Sequence, residues 1–322
     1  MVALLSLFLV LSSLLAWHLW PVSSAVMKQS SLTISRASWY EVDVDGKPLL
    51  YFRNAVGDSL LQGITSCRDS AIHHHRMTGC WVNRWAAFPS CKGRVMCIDN
   101  NEPRKFNTPN KDSLMHLLRK SLDRELHILG YQKSELDYYL RVHGVQDNGY
   151  QYIAALAAKV DKAYGEASCA LYLVDSLSQS RFGRLTVNLR SDYTAYYLAD
   201  GKMHSAPLDM QCFDPASHLL LLHLPSDTTP EDVSSVVMLP WHATMPSNAL
   251  CVGFGGVGEP DLAVNPTSPS LMPAHVSRDG KHDMPRVLAG DGSPVYTTRG
   301  IFVGLVSGDT IVPRQTMCRL FK

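Results

Sequence analysis

Ser293 stands in the turn Gly290-Asp291-Gly292-Ser293-Pro294, ahead of the apolar stretch Ile301-Phe302-Val303-Gly304-Leu305-Val306. A serine on a tight turn can act as a nucleophile when a base lies within hydrogen-bond reach and a third group orients that base. His204 is the candidate base, with Asp209 or Asp214 to orient it. The turn must also aim backbone N–H groups at the developing oxyanion. Reach has to be satisfied before pKa matters, and no histidine here has the small-residue surroundings of a catalytic strand end. Ser293 therefore reads first as a turn residue.

His73-His74-His75 raises a second chemistry, metal binding. Three consecutive histidines cannot all face one ion from a regular strand or helix, and a metal site needs convergent geometry, not just ligand count. The run reads as an exposed polar loop between Cys67 and Cys80, and the sequence implies no metal and no cofactor.

The elements that must position these residues fall into two parts. Residues 26–146 form the first, which begins with a loosely alternating stretch, Ser38 to Arg53, carrying the hairpin signal Asp45-Gly46. Cys67, Cys80, Cys91 and Cys97 then crowd together among Trp81, Trp85 and Phe88, as in a small disulfide-held module. From Asp112 to His143, leucines 114, 117, 118, 122, 126 and 129 recur at helical spacing with Asp112 or Ser113 as cap. The second part, residues 147–322, changes texture. Short apolar runs (Ala170–Val174, Leu185–Leu189, Ala195–Leu198, Leu219–Leu224, Val233–Leu239, Ala249–Phe254, Ile301–Val306) alternate with turn residues, as in a barrel or sandwich. Tyr152–Val160 is ambiguous: its alanines favour a helix and its neighbours a strand.

The 322 residues are 46 % hydrophobic, enough for one or two cores, and a formal charge of +1 gives no electrostatic case for nucleic acid. Val2 to Leu19 is almost wholly apolar, and the small residues before Ala25 fit a cleaved export signal, residues 1–25. The chain is expected to be secreted; a membrane enters only if that segment stays as an anchor. Cys67, Cys80, Cys91, Cys97, Cys169, Cys212, Cys251 and Cys318 are even in number, which in an exported chain suggests up to four disulfides of open connectivity.

The order of segments in the second part resembles chymotrypsin-like (trypsin-like) serine proteases. Tyr152–Leu156 and Cys169–Val174 are similar to the family's opening strands, Leu185–Leu189 to the next, and Phe213–Leu224 to the stretch around the catalytic aspartate. Val236–Pro240 and Cys251–Gly255 resemble the Cys-Leu-Pro and Cys-x-x-x-Gly-Trp-Gly segments, and Gly290–Pro294 with Gly304–Ser307 resembles Gly-Asp-Ser-Gly-Gly-Pro followed by Val-Gly-Ile-Val-Ser. The resemblance implies an all-β domain over 147–322, two six-stranded Greek-key barrels in shortened form, behind a small disulfide-rich and helical N-terminal region.

It also implies that the catalytic places are vacant. His218 occupies the aspartate's place, Asp175–Gly183 holds no histidine, and Gly292 replaces the serine. The family's specificity-pocket floor, six residues before Gly292, is Arg286, which would prefer carboxylates. Arg286, His218, Gly290, Asp291 and Gly292 become the candidate binding residues. The implied protein is a secreted, catalytically inactive serine protease homologue that binds an extracellular protein partner, of immune-cascade or reproductive-fluid type. The alternative is an active serine endopeptidase using Ser293, His204 and Asp214, as in compact viral proteases.

Overall fold

The computed structural model describes residues 6–13, 22–57, 59–83, 93–103, 105–107, 110–179, 183–238, 245–254 and 268–321. Residues 6–13 form helix α1, and Ser24–Gln29 forms α2. The strands are β1 Ser31–Val44, β2 Lys47–Phe52, β3 Asn54–Val56, β4 Leu60–Gln62, β5 His73–Asn83, β6 Arg94–Ile98, β7 Leu185–Ala199, β8 Lys202–Asp214 and β9 Leu219–His223. They continue with β10 Val236–Val237, β11 Asn248–Gly253, β12 Ser270–His275, β13 Pro294–Thr297, β14 Phe302–Ser307 and β15 Thr310–Pro313. The remaining α-helices are α3 Arg68–Ala71, α4 Lys111–Val142, α5 Tyr150–Gln179 and α6 Arg314–Met317.

The chain divides into two compact units that interleave along the sequence. One comprises 1–36, 74–102 and 192–322, the other 37–73 and 103–191. Neither follows the boundary expected at 146/147.

In the first unit the strand pairings run β5-β6-β9-β8-β7-β1, and β1 pairs again with β5, so six strands form a closed ring. Its interior is filled from every strand: Leu32, Ile34, Trp81, Val95, Tyr193, Leu208, Leu220 and Leu222 share one buried cluster. The unbroken Leu219–Leu222 run follows from this, because Leu220 and Leu222 face that interior while Leu219 and Leu221 pack into a different core. That other core also takes Tyr296, Phe302 and Leu305 from a five-stranded antiparallel sheet ordered β12-β11-β13-β14-β15. One six-stranded ring is therefore present, while the second set of strands is an open sheet among the described residues.

The second unit holds the β1–β2 hairpin at Asp45-Gly46, both in left-handed conformations (φ +51° and +82°), as a tight two-residue turn requires. Helix α4 starts one residue before the expected cap, with the Asn110 side chain accepting from Ser113 N–H at 2.8 Å. Helix α5 corrects two expectations. The presumed strands Tyr152–Leu156 and Cys169–Val174 both lie inside it, because Val160, Ala167, Ala170 and Val174 form a buried stripe at helical spacing. The alanines decide the conformation. The strand pair that the protease resemblance needs is supplied instead by β5 and β6.

The expected disulfides are also corrected. Cys67, Cys80, Cys97, Cys169, Cys212, Cys251 and Cys318 are all free thiols, and Cys91 lies outside the described residues. Cys80 and Cys97 show why neighbours in a sheet need not join. They sit on paired strands in a register that sets Cys80 opposite Met96, so their side chains leave opposite faces and enter separate cores. Leu239, Pro240 and Gly255, invoked for the resemblance, lie outside the described residues, as do Trp85 and Phe88.

Candidate functional site

The turn 290–293 carries the site, and it is fixed from three directions. Gly292 N–H donates to Val306 O at 2.8 Å, Ser293 N–H to Gly290 O at 3.1 Å, and Thr78 N–H to Asp291 O at 3.1 Å. The Asp291 carboxylate accepts the Gly308 N–H at 2.7 Å, tying this turn to the one between β14 and β15. Gly292 has φ +85°, and a β-carbon placed there would lie 1.8 Å from the Thr78 carbonyl oxygen. Strand β5 thus runs directly against the place where the family's nucleophile would stand.

Ser293 is fully buried, and its Oγ is without a hydrogen-bond partner among the described residues. The other members of the alternative triad are not brought to it. His204 is exposed on β8 and stacks on Tyr197, with ring centroids 5.8 Å apart. Asp214 ends the same strand, ten residues on, which at roughly 3.3 Å per residue is about 33 Å away. Asp209, at an odd offset from His204, leaves the opposite face of the strand. The Asp214 carboxylate is engaged locally by the Ser217 hydroxyl and the Ala216 N–H, and the Ser217 hydrogen bond holds it below the usual carboxylate range. The proposed relay of Ser293, His204 and Asp214 does not assemble.

His218 occupies a left-handed turn position (φ +54°) between β8 and β9. Its carbonyl accepts Asp99 N–H at 2.9 Å, its imidazole is exposed, and its ring meets Phe213 edge-on at 6.5 Å. The residues that follow β6, 99–107, include no histidine, so the base is missing there as well.

What the turn does border is a cavity of about 310 Å³. Arg286, Ala289, Gly290 and Asp291 form one wall, with Gly308 beside them. His75, Arg76 and Met77 from the start of β5, and Asn101 after β6, form the other. Arg286 is at the exposed rim rather than the floor. Its guanidinium pairs with Asp309 at 2.8 Å, an interaction that raises the arginine pKa and lowers that of Asp309. His218 and Gly292 do not line the cavity. Of the five candidate binding residues, Arg286, Gly290 and Asp291 come together.

The sequence reading missed His75, Arg76 and Asn101. His73-His74-His75 is not a loop but the first three residues of β5, with His73 and His74 exposed and His75 half-buried. Alternation downstream, through Met77, Gly79 and Trp81, is the signal that places His75 on a strand.

The wall at Asn101 has buried support. Arg36 and Asp99, 1 % and 0 % exposed, form an ion pair. Asp99 Oδ1 accepts Asn101 N–H at 3.1 Å, and Arg36 Nη2 donates to Asn101 O at 2.8 Å. Both ends of the Asn101 peptide are thereby held by charged groups that water does not reach, which strengthens each bond.

The sequence matches no family model and no curated protein. Among solved structures, it is similar to the apo MamO protease domain from Magnetospirillum magneticum, at 15 % identity, over 40 % of this chain and 74 % of that one, with a TM-score of 0.31. It is also similar to Deg5, at 10 % identity, over 88 % of this chain and 85 % of that one, with a TM-score of 0.35. Superpositions this loose fix neither fold nor function, and the closed ring of strands stands on its own pairings.

Proposed function

We propose that the protein is a catalytically silent homologue of chymotrypsin-like serine proteases, which acts by binding a partner protein in an extracellular fluid. The observation that carries this reading is the packing of Thr78 against Gly292 beside a fully buried Ser293. A substrate carbonyl needs an exposed nucleophile and free N–H donors within about 3 Å of its oxygen. The Gly292 and Ser293 N–H groups are instead bonded to Val306 and Gly290. Export rests on the apolar run from Val2 to Leu19, since unpaired thiols lend it no support.

The experiment is labelling with a fluorophosphonate probe, combined with turnover of a broad peptide library by wild type and Ser293→Ala. No label and no cleavage are expected. Label on Ser293, or wild-type cleavage that disappears in Ser293→Ala, overturns the proposal and establishes the endopeptidase.

A further inference from the structure

The cavity beside Asp291 has walls of unequal charge. Arg76 and Arg286 contribute two guanidinium groups, His75 an imidazole and Asn101 an amide, against the single carboxylate of Asp291. One oxygen of that carboxylate already accepts the Gly308 N–H. We propose that this cavity binds one carboxylate group presented by the partner protein. The inference rests on the non-catalytic binding reading and gives it a ligand chemistry.

Three features select a carboxylate. At about 310 Å³ the space stands at the small end of ligand sites, suited to one side chain or chain end rather than a length of peptide. Its two arginines and one aspartate leave a single formal positive charge, which matches a monoanion. A doubly charged phosphate would meet twice the repulsion from Asp291, because Coulomb energy scales with charge. Finally, the polar groups are set in place beforehand. The buried Arg36–Asp99 pair fixes the Asn101 backbone, Asp291 fixes Gly308, and Asp309, next in the chain, holds Arg286 through one N–H edge. The other N–H groups of that guanidinium remain to grip a ligand. Groups held before binding lose little freedom on binding.

A carboxylate reaches such a cavity from a Glu or Asp side chain or from a chain terminus, and three small probes separate these sources. ¹⁵N-labelled protein is titrated with N-acetylglutamate α-methylamide (side-chain acid), N-acetylglycine (terminal acid) and N-acetylglutamine methylamide (neutral), following the amide signals of Asn101, Gly290 and Gly308. Saturable shifts at these signals are expected with at least one acid and not with the neutral amide. Arg76→Gln and Arg286→Ala, each checked for an unchanged melting profile, should weaken the acid by at least roughly tenfold, the factor brought by losing one charge-assisted hydrogen bond. Equal shifts from the neutral probe, no saturable shift from either acid, or undiminished affinity in both variants overturns the inference. The failure is distinguishable from that of the parent reading: no probe labelling at Ser293 together with no carboxylate binding removes this inference alone.

Discussion

The carbonyl oxygen of Thr78 lies where a side chain on residue 292 would begin, 1.8 Å from the position of its β-carbon. Two segments far apart in the sequence thereby exclude a serine from the nucleophile's place. The Asp291 carbonyl accepting from Thr78 N–H locks the same two segments together.

Restoring the family's letter should therefore damage the fold without restoring chemistry. In Gly292→Ser the new Cβ must displace β5 backbone, a cost of about 1–3 kcal/mol for overpacking, with about 1–2 kcal/mol more for a non-glycine residue at φ +85°. Urea unfolding reads this loss, and the peptide-turnover assay should stay at background. A stable, active Gly292→Ser would show that the turn can move away from Thr78.

Ser293→Ala should act in the opposite direction. The hydroxyl is fully buried and without a partner among the described residues, so the wild type carries its desolvation penalty unrelieved. Removing it should raise stability by about 1 kcal/mol. A fall in the urea midpoint of that size would mean that Ser293 Oγ makes a bond that holds the turn.

Much of the framework was legible because local rules and packing agree. Asp45-Gly46 forces a hairpin wherever it falls, and the leucines of α4 recur at the period of the face they bury. Helix α5 misleads because Ala154, Ala155, Ala157 and Ala158 are spaced among Tyr and Ile, which favour strands. Only the partners of Val160, Ala167, Ala170 and Val174 settle the choice, and they lie elsewhere in the chain. The site was legible in part for the same reason. The Gly290–Ser293 turn is local, whereas the contact of Gly292 with Thr78, and the meeting of Arg76 with Arg286, are set by how sheets pack. An even cysteine count says nothing about the faces from which the thiols leave.

Stability should fall on mild acidification because of His282. Burial pushes its pKa below the ordinary value of 6.5, and its Nδ1 accepts the Met284 N–H at 3.2 Å, which only an unprotonated nitrogen can do. Above about pH 6.5 the ring is neutral in both states and contributes no pH dependence. As pH drops below that value the unfolded chain takes up a proton that the folded site resists, so stability declines until the folded pKa is reached. His282→Asn retains an acceptor but does not titrate. Urea unfolding at a series of pH values from 7.5 to about 5 should show a shallower decline in the variant. Parallel curves would remove His282 as a source of the slope.

The segment before β1 is built into the first unit, and this bears on where an export signal could be cut. Met27 is 3 % exposed within the core shared with Tyr296 and Phe302, and the Ser30 hydroxyl bonds to Tyr296 Oη at 2.6 Å. Val22 packs against that core, and its carbonyl oxygen lies 2.4 Å from where a β-carbon on Gly300 would stand. Cleavage after Ala25 falls inside α2 and removes Ser23, whose side chain accepts Val26 N–H at 3.3 Å and whose carbonyl accepts Met27 N–H at 3.0 Å. A chain beginning at Val26 should therefore be less stable than one beginning at Val22 by about 0.5–2 kcal/mol, the range for a lost helix cap. The comparison is made by thermal and urea unfolding of the two purified forms, alongside N-terminal sequencing of protein recovered from the medium. Equal stability of the two forms would show that Ser23 contributes nothing to α2 and leave the Ala25 cut structurally neutral. A secreted chain starting ahead of Val22 would place the cut where this packing leaves α2 whole.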